Sequence, residues 1–264
     1  MIYTREHLEQ QLKSLPLNKK DTILIHSSMK AIGHVENGAD EVLNVLTDFF
    51  SDGLLIFPTH TWASINENKL IYNPKTEKSC VGILTNLFLK RTGVVRSCHP
   101  THSVAALGQT AKEYIKADRK GNTPCSREGC WGRLYDLNAK IMFLGCSLKR
   151  NTIIHGVEEW CDIPNRLSKK TTPFQVQVSK NKIIDRPCYT HFSPVPDISE
   201  NYDIIEEALL KTGAAVEGRF GDAKVILCEV RPMVDLVCSF LRKDSNVFLS
   251  NKAIPQNWYS NLVL

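Results

Sequence analysis

A histidine and two glutamates lie close together in residues 151–160, which read NTIIHGVEEW. If this segment is a helix, Glu158 and Glu159 both lie on the face that carries His155. A carboxylate beside an imidazole holds one tautomer and raises its basicity, as a general base needs near neutral pH. Gly156, a costly residue inside a helix, indicates close packing at this point. The alternative interpretation is a helix-surface pair that contributes about 0.2–0.5 kcal/mol.

Residues 96–103, RSCHPTHS, combine a cation, hydroxyl groups and two imidazoles. The side chains of metal-binding type are Cys98, His99 and His102. Neighbours in an extended segment point in different directions, and the chain has no HExxH pattern, so we expect no metal site. Arg96 and Ser97 can both donate hydrogen bonds to phosphate oxygens, which makes an anion contact the alternative to an ordinary surface arginine.

Polar residues follow predicted strands at two further places. Residues 27–38 hold hydroxyl-bearing and small residues and lead into a predicted helix, whose first N–H groups can bind an anion. Thr59 and Trp62 follow the second predicted strand. The indole of Trp62 could form a flat wall for a sugar ring or a cofactor, although packing in the core is the commoner role of tryptophan.

Alternating strands and helices must position these residues, and they predict an α/β fold with a mixed central sheet flanked by helices. Buried strands are predicted at residues 21–26, 53–58, 103–107, 141–144 and 224–228. Helices are predicted at residues 4–15, 42–50, 81–90, 109–116, 151–160 and 204–210, and a half-solvated hairpin at 174–184. We expect a single domain over residues 1–264, either undivided or with two lobes of about 1–165 and 166–264.

Composition excludes several classes of protein. The chain has 264 residues, of which 42% are hydrophobic and 23% charged, as in a folded globular protein. It contains no apolar run near the roughly 18–20 residues of a membrane helix, and it begins with charged residues where a secretory signal would be apolar. Nine cysteines without a CxxC pattern favour a reducing compartment. We therefore expect a cytoplasmic protein that neither spans a membrane nor is secreted.

The net charge of +5 has two interpretations. The basic residues cluster only in pairs, whereas nucleic-acid binding needs a concentrated basic face, so we expect no nucleic-acid partner. A phosphorylated small molecule would equally account for the excess. The chain also lacks the nucleotide-binding patterns GxxxxGK[ST] and GxGxxG and the hydrolase pattern GxSxG.

Taken in order, several weak motifs together resemble the aminoglycoside 3-N-acetyltransferase family. The matching segments cover almost the whole chain: 26–28 with Gly33, 53–59, 96–100 with Ser103 and Gly108, Gly145, 151–158, and 221–223. The resemblance implies an acetyl-CoA-dependent N-acetyltransferase that acts by direct transfer and needs no enzyme nucleophile or metal. Neither the pyrophosphate signature of the general acetyltransferases nor the HxxxD pattern of the chloramphenicol type occurs in the chain.

The resemblance also implies roles for individual residues. His155 would be the general base and Glu158 its orienting partner. The residues implied for coenzyme A are Ser27, Ser28, Met29, Lys30, Gly33, Arg96 and Ser97, together with Ser103 and Val104, whose backbone would bind the pantetheine arm. Those implied for the acceptor are Thr59, Trp62 and Glu159. A polycationic aminoglycoside favours an acidic cleft, and this chain is net basic, so a different biosynthetic or metabolic amine is the alternative acceptor. A third hypothesis is a coenzyme A- or nucleic-acid-binding module without activity.

Overall fold

A computed structural model of the chain describes residues 1–262. Its centre is a seven-stranded mixed sheet with the strand order β11-β12-β8-β2-β4-β7-β6. The strands are β2 (Thr22–Ser27), β4 (Leu54–Pro58), β6 (Val95–Arg96), β7 (Val104–Leu107), β8 (Lys140–Leu144), β11 (Ala215–Phe220) and β12 (Ala223–Glu229). The predicted fold class is confirmed.

Three parallel strands form the middle of this sheet. β2 pairs in parallel with β4 on one side and with β8 on the other, while the outer strands join as antiparallel neighbours. β8, which precedes residue 165, pairs with β12, which follows it. Both parts of the chain therefore contribute to one sheet.

Helices cover both faces of the sheet. They are α1 (Arg5–Lys13), α2 (Met29–Ile32), α3 (Gly38–Phe49), α4 (Ile83–Phe88), α5 (Ala111–Tyr114), α6 (Cys130–Asp136), α7 (Thr152–Trp160), α8 (Glu206–Thr212) and α9 (Val230–Lys243). Short 3-10 helices occupy Ile115–Arg119, Leu148–Arg150, Ile198–Ile205 and Gln256–Trp258.

Alternation along the strands separates two hydrophobic cores. Leu24 and Ile56 contribute to the core that contains α6, α7 and α9, whereas Ile23 and Leu55 contribute to the core that contains α1 and α3. This follows from the period of two in a strand, which directs successive side chains to opposite faces. The continuous apolar strands of the sequence are thus explained by burial on both faces.

Two small sheets complete the fold. β1 (Ile2–Tyr3) pairs with β3 (His34–Val35), and β5 (Ile71–Tyr72) joins the hairpin of β9 (Gln175–Ser179) and β10 (Lys182–Asp185). The hairpin confirms the one predicted from the alternating residues. Across residues 1–262, no helix is both long enough and apolar enough to cross a membrane.

Some elements differ from their predicted form. The helix predicted at 109–116 is a single turn, α5, that continues as a 3-10 helix, and the one predicted at 204–210 begins as a 3-10 helix before α8. β11 and α9 were not predicted. In β11 the exposed Val216, Glu217 and Arg219 break the alternation that identifies a strand, because it is an edge strand.

Candidate active site

A large cleft of about 1500 Å³ opens at one edge of the central sheet. The residues that follow β2, β4 and β8 line it, and these are the carboxyl ends of the three parallel strands. Ligand sites in open α/β sheets form at this edge, because the loops leaving neighbouring parallel strands meet there. The sheet topology therefore places the functional loops together.

His155 lines this cleft from the first turn of α7. Its Nδ1 lies 2.7 Å from the hydroxyl of Tyr202, and that hydroxyl lies 2.8 Å from Oε2 of Glu158. The direct distance from His155 Nδ1 to Glu158 is 3.6 Å. The predicted helical pair is present, but the structure inserts a phenol between its members.

Glu158 is fully buried and has a fixed orientation. The Nε of Arg166 donates to its Oε1 at 2.6 Å, and Arg166 is itself buried. A buried carboxylate without such a partner would cost several kcal/mol, so the ion pair explains how Glu158 is accommodated. Burial and the neighbouring Glu158 raise the pKa of Tyr202 well above its usual value, so the phenol keeps its proton.

The hydrogen-bond donors and acceptors along this chain indicate one arrangement. Because the Glu158 carboxylate only accepts, the single Tyr202 proton is donated to it, and the Tyr202 oxygen then accepts from His155 Nδ1–H. The Nε2 of His155 is left with the lone pair. An imidazole in this tautomer, on a cleft wall, can remove a proton from a bound amine.

Gly156 allows a close approach behind the histidine, as its position in the sequence predicts. A Cβ at this position would lie 2.9 Å from the indole of Trp160 and 3.1 Å from Cβ of Cys125. The indole N–H of Trp160 donates to the carbonyl of Cys125 at 2.9 Å. These contacts hold α7 against the loop that precedes α6.

Histidines form an extended cluster next to His155. The ring centroids are 4.2 Å apart for His155 and His191, 4.7 Å for His191 and His102, and 4.7 Å for His102 and His60. Burial lowers the pKa of His60, His102 and His191 well below the usual value, and the neighbouring imidazoles add to this. These three imidazoles, of which His60 and His102 are buried and His191 is partly buried, are therefore neutral at physiological pH.

Several buried polar atoms of the cleft residues have no hydrogen-bond partner among residues 1–262. They are His26 Nε2, His60 Nδ1, Asn151 Oδ1 and His191 Nε2. Buried polar groups are normally paired, and each unpaired group is unfavourable unless a ligand or water satisfies it. Their concentration in the residues of one cleft is a second sign of a binding site.

The structure brings only part of the predicted coenzyme A residues to the cleft. Four of them line it: Ser27 at the end of β2, and Ser28, Met29 and Lys30 directly after it. Gly33 lies outside the lining, in the turn after α2. Its φ is positive, and a Cβ there would lie 2.2 Å from Asp222 Oδ2, so both the backbone conformation and the close approach of Asp222 require a glycine. Ser103 is fully buried between Thr59 and Tyr72, and Val104 belongs to the core.

Arg96 is not in the cleft lining, unlike the anion contact considered from the sequence. Its guanidinium donates to the carbonyl of Thr59 at 2.7 Å, to the carbonyl of Glu77 and to the hydroxyl of Ser103. Burial lowers its pKa. Ser97 is also fully buried and donates to Asp118. Both side chains hold loops together behind the cleft wall.

The predicted acceptor residues are likewise divided. Trp62 lines the cleft and is 53% exposed, so the sequence prediction of a free indole face is compatible with its position. Thr59 is fully buried against Ser103. Glu159 lies behind the wall, where it accepts from the N–H of Cys125, and burial raises its pKa to about 7.

Sequence reasoning missed Tyr202, Arg166 and His191. Each belongs to the second part of the chain, and none lies in a recognisable motif. Isolated polar residues give no signal until the fold brings them to α7. The signal that existed was the histidine content: six of the eight histidines lie in or beside this cluster.

The charges of the cleft are mixed. The cations in its lining are Lys30, Lys149 and Arg150, and the carboxylates are Glu67 and Asp197. Arg150 is close enough to His26 to contribute to lowering the pKa of that imidazole, after burial. The cations follow the ends of β2 and β8 in the chain, as Ser27 and Ser28 do at the end of β2.

Relatives named aminoglycoside N(3)-acetyltransferases match almost the whole chain. The profile of the aminoglycoside 3-N-acetyltransferase family matches residues 24–242. The aminoglycoside N(3)-acetyltransferase VII of Streptomyces paromomycinus is 25% identical over 91% of this chain and 92% of its own length.

Solved structures share the fold. A mutant of the aminoglycoside acetyltransferase AAC(3)-IVa in complex with a gentamicin superimposes with a TM-score of 0.81 at 21% identity, covering 97% of this chain and 93% of that one. AAC-IIIb in a binary complex with CoASH gives a TM-score of 0.77 at 22% identity, covering 92% and 97%.

Proposed function

Because the chain belongs to the aminoglycoside 3-N-acetyltransferase family, we propose that it transfers the acetyl group of acetyl-CoA to an amino group of an aminoglycoside, at the 3-position. The observation that carries the proposal is the placement of His155 in the cleft wall, with its tautomer set by Tyr202 and Glu158. The relatives named N(3)-acetyltransferases and the neighbours that bind CoASH or a gentamicin support the choice of donor and acceptor.

The transfer is direct in this proposal. The nitrogen lone pair of the neutral acceptor amine attacks the thioester carbonyl carbon, and His155 Nε2 takes the proton that this nitrogen loses as the bond forms. The C–S bond then breaks, and the sulfur leaves as a thiolate that takes up this proton from the His155 imidazolium to become free coenzyme A. Holding both substrates in one cleft makes the attack effectively unimolecular. Glu158, through Tyr202, stabilises the imidazolium that forms.

The end of the cleft next to β2 and β8 suits the phosphates of coenzyme A. Ser27 and Ser28 offer hydroxyl and backbone donors there, and Lys30 and Arg150 offer charge. We assign Arg96 and Ser97 a supporting role for this wall, because their side chains are bonded within the protein. We assign Ser103 and Val104 the same role, because their carbonyls accept from the N–H groups of Thr59 and Ser97 and the N–H of Val104 donates to the Ser97 hydroxyl. In this proposal, part of the net charge of +5 serves to bind the phosphates of coenzyme A.

A second candidate acceptor follows from the cleft charges. The carboxylates in its lining are Glu67 and Asp197, whereas three cations line it. A polycation with several ammonium groups gains little from this balance, so an amine with fewer charges is the alternative substrate. Trp62 and Phe192, both about half exposed at the cleft, would pack on either kind of acceptor.

A thiol-release assay tests the proposal. Purified protein, acetyl-CoA and a panel of aminoglycosides are mixed and free coenzyme A is measured, with the variant His155→Ala as the control. We expect release with at least one aminoglycoside, and a kcat reduced about 100-fold or more in the variant at similar affinity for acetyl-CoA. Release only with smaller amines would select the second candidate. A near-normal rate in His155→Ala would remove this residue as the base.

A further inference from the structure

A cysteine, a glutamate and a histidine meet behind His155. The Sγ of Cys125, a carboxylate oxygen of Glu159 and a ring nitrogen of His191 all lie within 4.8 Å of one another. None of them belongs to the chain of hydrogen bonds that joins His155, Tyr202 and Glu158. Cys125 is fully buried, the Glu159 side chain is 6% exposed and that of His191 is 20% exposed.

Three separate parts of the fold hold this cluster. Glu159 projects from α7, Cys125 precedes α6, and His191 follows β10 in a segment that bridges to Leu167. Cys125 is fixed to α7, since its N–H donates to Glu159 at 3.1 Å and its carbonyl accepts from Trp160. Gly156 makes this approach possible, because any Cβ there would press on that of Cys125. The donor atoms are therefore pre-positioned.

The imidazole of His191 is the member of the cluster without a hydrogen-bond partner, whereas the Cys125 thiol donates to the carbonyl of Thr152 and Glu159 accepts from the N–H of Cys125. Nδ1 of His191 is 3.9 Å from Glu159, which is longer than a hydrogen bond. The other nitrogen of His191, Nε2, is buried without a hydrogen-bond partner in the described part of the chain. A carboxyl group and an imidazole that face each other without bonding leave space for a small ion between them.

The donor set matches one class of ligand. Thiolate, carboxylate and imidazole are the groups that bind Zn²⁺, and three protein ligands with an open fourth position are typical of accessible zinc sites. Hard cations such as Mg²⁺ prefer oxygen ligands and are not expected to bind a thiolate. His191 lines the cleft, so the fourth position would face it and could take a water molecule.

We propose that Cys125, Glu159 and His191 form a binding site for a divalent transition metal of the Zn²⁺ class. This differs from the sequence expectation of no metal, which considered the segment containing Cys98, His99 and His102. The centroid of the His191 ring is 4.2 Å from that of His155, so the bound ion would lie beside the proposed base. The site does not depend on the acetyl-transfer proposal.

Cobalt substitution tests the proposal without reference to activity. The full-length protein is treated with a chelator, dialysed and titrated with Co²⁺, whose thiolate complexes absorb in the near ultraviolet. The variants are Cys125→Ser and Glu159→Gln, and Cys188→Ser is the matched control because Cys188 is an equally buried thiol outside the cluster. Melting curves verify that each variant is folded.

We expect one equivalent of Co²⁺ to produce the thiolate band in the wild-type protein and in Cys188→Ser, and Zn²⁺ to abolish it by displacement. Cys125→Ser should lose the band, and Glu159→Gln should keep it with affinity weakened at least about 10-fold. If Cys125→Ser does not fold, the Glu159→Gln titration decides. A wild-type protein without the band, a band that persists in folded Cys125→Ser, or an unchanged affinity in Glu159→Gln would overturn the proposal.

Discussion

Tyr202 links His155 to Glu158, because its hydroxyl lies within hydrogen-bond distance of both, whereas the direct distance between the two is 3.6 Å. A histidine that reaches its carboxylate through a phenol depends on that phenol for its tautomer. Tyr202 is thus a third group beside the predicted pair, and we regard it as a positioning residue because it contacts His155, the base of the proposed mechanism, and not the reacting atoms.

Replacing Tyr202 by Phe tests this role. The variant keeps the buried ring but removes the hydroxyl, so Nδ1 of His155 loses its partner and the tautomer is no longer fixed. We expect kcat in the thiol-release assay to fall roughly 10-fold while KM changes little, since only the base is affected.

The matched control is Tyr114→Phe. Tyr114 is also buried, but its hydroxyl donates to the carbonyl of Cys130, whereas that of Tyr202 bonds to His155. This variant should lose comparable stability and keep its kcat. Equal losses of kcat in both variants would mean that the Tyr202 effect is structural.

At the scale of elements, loops behind the cleft are held by buried side chains, and Arg96 is the clearest case. It ties the loop after β4 to the segment before α4 by donating to Thr59 and Glu77 carbonyls. The guanidinium has a fixed fork of donors, and no other side chain reproduces it. This explains why a residue that resembles a phosphate contact in sequence serves the architecture of the wall.

Arg96→Met should therefore destabilise the fold by about 1–3 kcal/mol or more, because buried carbonyls lose their donors. Urea unfolding measures this loss. Lys30→Ala is the comparison, since Lys30 lines the cleft: it should leave the unfolding midpoint unchanged and weaken acetyl-CoA binding. If Arg96→Met instead kept its stability and lost affinity for acetyl-CoA, Arg96 would be a ligand contact.

Gly156→Ala concerns the packing of α7. Alanine favours helix by about 1 kcal/mol over glycine, yet its methyl group would meet the Trp160 indole and Cys125. We expect overpacking to prevail, with a net loss of about 1–2 kcal/mol and a lower melting temperature. A rise in the melting temperature would show that helix propensity dominates and that the packing around Gly156 yields easily.

At the scale of the whole molecule, the buried histidines link stability to pH. Burial lowers the pKa of His26 to about 3 and those of His60, His99 and His102 below their usual value of 6.5. Below pH 6.5 the unfolded chain therefore binds more protons than the folded one, and stability falls as the pH falls. Glu159 acts in the opposite direction between pH 4.5 and about 7, offsetting roughly one histidine.

We expect the free energy of unfolding to decrease between pH 7 and pH 5, by up to about 1.4 kcal/mol per pH unit for each uncompensated histidine. Urea titrations at several pH values measure the slope. His99→Gln should reduce the slope, by one proton at most, because burial lowers the pKa of His99 and its neutral Nδ1 accepts from the N–H groups of Thr101 and His102. Stability that is constant or rises toward pH 5 would contradict this account.

The sequence by itself determined the α/β class, most of the helices and strands near the centre of the fold, and the pairing of His155 with Glu158. These depend on local periodicity and on spacing along one helix, which the chain carries without reference to distant residues. The same local information placed Ser27, Lys30 and Trp62 after strand ends, and hence at the cleft.

Only the tertiary structure decided the rest. Tyr202, Arg166 and His191 reach α7 from other parts of the chain, and the depth at which each side chain lies separates Lys30 in the cleft from Arg96 behind it. Burial and long-range contacts arise only when the chain packs. An adjacent arginine and serine have the same sequence pattern whether they bind a ligand or the backbone of their own protein, so the sequence cannot distinguish the two roles.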